Sequence, residues 1–299
     1  MPTGPTSPAR AWNRPSPNST AATAAMAPRV ASASENTATA QRDAFALRIA
    51  SAVVMAIIAL AGAYIGGWTF KFLMAVIAIL AAYEWDRLCG GPAFGPFGTL
   101  AAAACAAAVV MTGTGRVGAA FVLVLVAAVL TAILARGRGR DARWLVGGLL
   151  YVGIPAIAGV WIRDSEWGRL AILGLFAVVW STDTGAYFAG KTFGGPKLAP
   201  AISPGKTWSG LVGGVVAATV AALVVGHFAP PVPLWSVGAV GALLSLVGQV
   251  GDLGKSKVKR HFQVKDSGNL IPGHGGVIDR LDSTMATLPV LAIFLALWL

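Results

Sequence analysis

Four aspartates in a strongly apolar chain are the residues best placed to do chemistry. Asp183 lies inside an apolar run as WSTDTGAYFAG, Asp252 closes another as GQVGDLG, and Asp279 and Asp282 open a third as GGVIDRLDS. An ionised carboxylate in a bilayer helix costs about 2.5–3.5 kcal/mol on insertion scales, and such groups face a bundle interior or a watery cavity. Asp279 and Asp282, three apart, share one helical face. Taken singly, each reads as an interfacial acid paired with a Lys or Arg. Four of them on one membrane face, beside glycine-rich loops, suit a divalent cation, because like charges repel unless a cation sits among them. Mg²⁺ takes oxygen ligands together with substrate phosphates.

Two basic segments supply the complementary charge. Residues Lys191 to Gly210, KTFGGPKLAPAISPGKTWSG, carry Lys191, Lys197 and Lys206 with Ser203, Thr207 and several glycines. Ammonium groups and backbone amides can there reach a polyphosphate together. The segment is not a P-loop, since Pro200 stands where the first glycine of GxxxxGK[ST] belongs. The bland alternative is an ordinary basic loop. Residues Ser256 to Asp282, SKVKRHFQVKDSGNLIPGHGGVIDRLD, add Lys259, Arg260, Lys265 and Arg280, with His274 set among glycines. Gly273, Gly275 and Gly276 permit turns and close approach that side chains would block.

The elements that must position these groups are membrane helices. Of the 299 residues 56% are apolar and 12% charged, with a mean hydropathy of +0.70, against about a quarter charged in soluble domains. Nine apolar runs approach the length needed to cross roughly 30 Å of hydrocarbon. They are Leu47 to Gly66, Trp68 to Tyr83, Phe97 to Gly113, Val117 to Ala135, Trp144 to Ile162, Leu170 to Ala189, Leu211 to Phe228, Leu234 to Val250 and Met285 to Leu299. Basic residues favour the cytosolic side. Arg29, Arg42 and Arg48, the Arg136–Arg143 loop, Lys191, Lys197 and Lys206, and the Lys255–Arg280 segment all fall on one side of nine spans, whereas the loop of Pro230, Pro231 and Pro233 has no charge. The N-terminus is thus expected in the cytosol, and the four acids fall toward the same face. The net charge of +11 is spread among loops rather than gathered on one basic surface, which argues for anionic lipid and phosphate-bearing substrates over nucleic acid. Residues 1–43, rich in Ala, Ser, Thr and Pro, are expected to form a disordered cytosolic tail. Cys89 and Cys105 have neither metal-ligand spacing nor a disulfide framework and read as small apolar fillers.

The last basic segment carries a specific resemblance. Ser256, Lys259-Arg260, Lys265-Asp266, His274-Gly275-Gly276, Asp279-Arg280 and Asp282 match the S-x-x-K-R-x(4)-K-D…H-G-G-x-x-D-R-x-D signature of phosphatidate cytidylyltransferases, the CDP-diacylglycerol synthases. The Asp183–Tyr187 run DTGAY, the Ser203–Thr207 run SPGKT and Gly251-Asp252-Leu253 are also similar to that family, and the likeness covers Leu47 to Leu299. One departure is Ser209, where many members carry Glu after Lys-Thr-Trp, so any role of an acid there is put in question.

The resemblance implies transfer of CMP from CTP to phosphatidic acid, giving CDP-diacylglycerol and pyrophosphate. With the apolar runs it implies an all-α polytopic bundle over 44–299 with its catalytic half at about 170–299; the short, compact chain without a signal peptide leads to the expectation of a bacterial inner membrane, and the basic loops to a site facing the cytosol. Catalytic residues are then Asp279, Asp252, Lys259, Arg260, Lys265, His274 and Arg280. Ser203, Lys206, Thr207, Ser256, Asp266, Gly275 and Gly276 would bind substrate. Asp252, Asp279, Asp282 and Asp183 would hold Mg²⁺, with K⁺ as the candidate second cation. The lipid phosphate is itself the nucleophile and is largely ionised at neutral pH, so His274 reads as a phosphate contact rather than a base. CTP, phosphatidic acid, membrane lipids and a second copy of the chain are the expected partners. A secondary transporter would place its polar residues at midplane in paired broken helices, and a CDP-alcohol phosphotransferase would carry DGxxAR, which is missing.

Overall fold

The computed structural model describes residues 46–92, 95–228, 232–268, 270–271 and 275–298. The expected tail with Arg29 and Arg42, the prolines Pro230 and Pro231, and His274 with Gly273 lie outside the described residues. The chain divides into two units, Met1–Ala50 and Ser51–Leu299. In the first, the described residues 46–50 are helical. In the second, the described residues form helices joined by short connections and one small hairpin.

Nine helices among the described residues are long and apolar enough to cross a membrane: α1 Ala46–Ile65, α2 Gly67–Leu88, α3 Pro96–Gly113, α4 Val117–Gly137, α5 Ala142–Asp164, α6 Gly168–Phe193, α7 Trp208–Gly226, α8 Leu234–His261 and α9 Ile278–Trp298. The protein is an integral membrane protein of the all-α class, as its nine apolar runs predict. Among the described residues the helices are accompanied by a two-stranded antiparallel sheet, β1 Lys197–Ala199 with β2 Ser203–Thr207, pairing Lys197 with Thr207 and Ala199 with Ser203.

Local chemistry sets the helix ends. Pro96 opens α3, where its missing N–H costs nothing. The Asp141 carboxylate accepts from the Arg143 amide to cap α5, and the Thr207 hydroxyl accepts from the Gly210 amide to cap α7. Gly194, at φ 59°, stops α6 in the left-handed region that glycine enters without strain. Pro155 and Pro289 sit inside α5 and α9, which membrane helices tolerate because neighbours re-satisfy the freed backbone groups.

Several helices run past the apolar runs read from sequence. The eighth run ends at Val250, but α8 continues through GDLGKSKVKRH to His261. That extension holds no proline, and Lys and Arg are good helix formers whose charge suits a helix C-terminus. Likewise α2 passes Tyr83 to reach Leu88, α6 passes Ala189 to reach Phe193, and α9 begins at Ile278 rather than Met285.

Packing follows chain order, with α2, α3, α4 and α5 in one group, α6, α7, α8 and α9 in another, and α5 against α9 between them. Helix α5 is the most enclosed, with 67% of its most apolar window buried. Its Val152, Ala156, Ile157 and Ile162 enter three separate core clusters. Helices α6 and α7 meet through small residues: a Cβ on Gly210 would stand 2.9 Å from the Ala186 carbonyl, and one on Gly214 2.9 Å from that of Thr182. The Gly210, Gly213 and Gly214 stripe is therefore spent on packing within the chain.

Candidate active site

The cytosolic-type loops and the acids meet at one end of the second unit, where α6, α8 and α2 end and α7 and α9 begin. The hairpin carries the chain from α6 to α7 and sets Lys206 one residue before the α7 cap. From there the Lys206 ammonium reaches Asp252 on α8 at 2.6 Å and donates to the Gln249 carbonyl at 3.3 Å. Ser203 pairs with Ala199 at the head of the hairpin, and Thr207 is the α7 cap. Ser209 donates to the Gly194 carbonyl and shares a 3.0 Å hydrogen bond with Thr207, so it ties the end of α6 to the start of α7.

Asp279 is the most heavily engaged of the four acids. Its Oδ1 takes Lys255 at 2.7 Å, Lys259 at 3.0 Å and the Ser267 hydroxyl at 3.1 Å. Its Oδ2 accepts from the backbone amides of Ser267 at 2.8 Å and Gly276 at 3.2 Å. The α8 extension makes this possible, because Lys255 and Lys259 lie one turn apart on its inner face. Gly275, at φ 80°, brings the returning chain against Asp279 and Asp266, where a Cβ would lie 3.3 Å from Asp279 Oδ2.

The other three acids are freer. Asp282 holds Lys255 at 3.1 Å through Oδ2 and accepts from the Ser283 amide at 2.8 Å through Oδ1. Asp183, exposed on α6, lies within electrostatic reach of Asp282, Asp252 and Lys206, and Asp282 within reach of Lys255 and Asp252. The structure thus brings Asp183, Asp252, Asp282, Lys206 and Lys259 to one site from four elements, α6, β2, α8 and α9. Arg260, Lys265, Asp266 and Arg280 are exposed around it, and Ser256 is half-buried on α8.

Among the described residues, no three His, Cys, Asp or Glu side chains stand together as a ready-made metal cage. Mg²⁺ is more often held by one or two carboxylates plus substrate phosphates than by an all-protein cage. The oxygen-only donors Asp252, Asp282 and Asp183 fit that mode. Asp279, whose two oxygens already take five donors against the two on Asp282, fits it less well.

Three contributors were not singled out from sequence. Lys255, with its side chain 2% exposed, bridges Asp279 and Asp282 and donates to the Ile278 carbonyl at 2.8 Å. Ser267 clamps Asp279 twice. Glu84, on α2 and 1% exposed, accepts from the amides of Val277 and Ile278, each at 2.9 Å, and so caps α9 from a distant part of the chain. Glu84 had a signal, being an ionisable residue at the end of an apolar run. Lys255 had a weaker one, hidden by the early end assigned to the eighth run. Nearby, Arg140 joins Asp86 at 3.2 Å and the Cys89 carbonyl at 3.1 Å, and burial pushes the Cys89 thiol up to about 12 against the opposing pull of Arg140.

The model of the Cytidylyltransferase family matches residues 46–298. The chain is 48% identical over 163 residues to a protein of Brucella suis biovar 1 named phosphatidate cytidylyltransferase, a match covering 54% of this chain and 59% of that one. Proteins of the same name from Bacillus subtilis and Staphylococcus aureus strain COL are similar, at 44% over 151 residues (50% and 56% covered) and 45% over 156 residues (52% and 59% covered). The matched stretch thus spans somewhat over half the length of these curated relatives.

Proposed function

Since the chain belongs to the cytidylyltransferase family, we propose that it transfers CMP from CTP to phosphatidic acid, forming CDP-diacylglycerol and pyrophosphate. The observation that carries this reading is the gathering of Asp183, Asp252 and Asp282 with Lys206 and Lys259 at one end of a membrane bundle. The names of the similar bacterial proteins support it.

An oxygen of the lipid phosphate monoester attacks the α-phosphorus of CTP, the bond to the bridging oxygen of the β-phosphate breaks, and pyrophosphate leaves. No protein nucleophile is required. The chain's own work is to align two polyanions and to neutralise them. Lys206 and Lys259 are already held against carboxylates and can exchange them for phosphate oxygens. Arg260, Lys265 and Arg280 add cationic donors at the rim, with Ser203, Thr207 and Ser256 as neutral ones. His274 is assigned to phosphate contact. Asp252 and Asp282, with Asp183, would hold Mg²⁺, which when bound would offset phosphate charge and stabilise the leaving pyrophosphate; K⁺ is the candidate second cation. Asp279 serves first to fix Lys255, Lys259 and the Ser267 loop around the site.

The basic residues clustered at this end favour the cytosol, so the site faces the cytosol in a bacterial inner membrane, with the N-terminus on the same side. The test is incorporation of α-labelled CTP into an organic-extractable product by purified protein with phosphatidic acid, with and without Mg²⁺. Product should require both the lipid and the metal, and Asp252→Asn should lose at least about 10²-fold in kcat while inserting normally. Absence of product from the wild-type chain overturns the reading, and full activity in Asp252→Asn removes it from the metal site.

A further inference from the structure

A groove of about 660 Å³ runs between α1, α2, α5, α6 and α9, within the roughly 300–1,000 Å³ of small-molecule sites. Among the described residues its walls are almost wholly apolar, and the one charged side chain among them, Arg280, stands in the first turn of α9. On that helix Arg280, Thr284 and Leu288 follow at four-residue spacing and line the groove. Ser283 and Ala286 lie on the other face, against Gly248 and Gly251 of α8. On α6, Phe176 and Trp180 line the groove with their rings stacked 5.8 Å apart. Asp183 follows on the same face, one turn nearer the end where α9 begins. The groove therefore rises between two helices that both carry acids of the candidate site at its head.

Depth and charge identify an occupant. At 1.5 Å per residue, Arg280 to Leu288 descends about 12 Å, close to the roughly 15 Å that is half of the hydrocarbon core. A cation above one leaflet's depth of apolar wall matches a phosphate headgroup above an acyl chain. We propose that this groove takes an acyl chain of the substrate phosphatidic acid, with the lipid phosphate at the Arg280 end, toward Asp183 on the facing α6. A monoester phosphate suits this end better than a bulk diester lipid, because the attacking oxygen must be unencumbered and face the carboxylate site. The inference rests on the reading of the chain as a phosphatidate cytidylyltransferase.

The test narrows the groove away from the charged site. Ala56 of α1 lines it, and Ala56→Trp should raise KM for dioleoyl phosphatidic acid about tenfold or more while leaving KM for CTP and turnover of dioctanoyl phosphatidic acid as in wild type. Independently, the wild-type protein in vesicles is irradiated with phosphatidic acid carrying a diazirine midway along one chain. Label should map to groove residues such as Met55 and Met74 and be competed by phosphatidic acid but not by phosphatidylglycerol. Label elsewhere, equal competition by phosphatidylglycerol, or an Ala56→Trp enzyme blind to chain length overturns the groove as a substrate site. A wild-type protein that makes no product from CTP and phosphatidic acid would instead overturn the functional reading beneath it.

Discussion

Removing the Glu84 carboxylate should loosen the start of α9 and, with it, the candidate site. Helix N-termini leave backbone amides without intrahelical partners, and here two of them, from Val277 and Ile278, are satisfied by the two oxygens of one buried side chain. Leaving a buried donor unsatisfied costs about 1–3 kcal/mol, so Glu84→Ala should lose about 2–6 kcal/mol. Glu84→Gln keeps one acceptor oxygen and turns an amide N–H₂ toward the other donor, so it should lose about half of that. Because Asp279, Arg280 and Asp282 ride on the uncapped turn, a displacement of about 1 Å should lower kcat on the order of 10²-fold. Thermal unfolding in detergent reads the first effect and the CTP incorporation assay the second. Gly276→Ala offers an independent approach to the same carboxylate, since its Cβ would stand 2.6 Å from Glu84 Oε2, and it should move both readouts in the same direction. If Glu84→Ala and Glu84→Gln both unfold within about 0.5 kcal/mol of wild type and turn over normally, the remote cap has no energetic role.

Lys255→Met should be destabilising by about 3–5 kcal/mol, because it strands the half-buried Asp282 without a cation and leaves Asp279 with Lys259 as its remaining ion pair. Adding Asp279→Asn to that variant should recover part of the loss, and additive losses in unfolding measurements would show that the three groups do not act together. For Cys89, burial raises the pKa to about 12, so the thiolate is scarce at neutral pH. In a Cys105→Ala background, maleimide labelling of Cys89 should still climb about tenfold per pH unit from pH 8.5 to 10, where an ordinary thiol of pKa about 8.5 levels off. A plateau near pH 9 would contradict the burial.

Much of this molecule is written in its hydropathy. Nine apolar runs give nine helices among the described residues, because crossing hydrocarbon demands both length and internal hydrogen bonding, and both leave a composition that can be read directly. Helix ends were less legible. A run is cut where charge begins, but α8 continues for three turns past Val250 because lysines at i and i+4 are paid for by facing acids on α9, a tertiary fact. For the same reason Lys255 looked like one more loop cation, although its side chain is buried between two aspartates. Asp183, Asp252, Asp279 and Asp282 could be grouped from sequence, since each is an acid out of place in an apolar context. Their division of labour could not, because the saturation of Asp279 depends on Ser267 and on amides delivered by a turn. Ser209 shows the converse: a neutral hydroxyl joins the ends of α6 and α7.

The cap on α9 also sets an order of events during biogenesis. Glu84 is separated from the amides that donate to it by 193 and 194 residues. At about 5–20 residues per second, a ribosome takes roughly 10–40 s to make that stretch. Throughout that interval α2 carries an acid with neither of its final donors. Helix α9 thus satisfies a carboxylate laid down on α2 long before it, and a chain released before α9 would leave that buried acid without these two donors. Quality control that samples such chains has a defined defect to recognise.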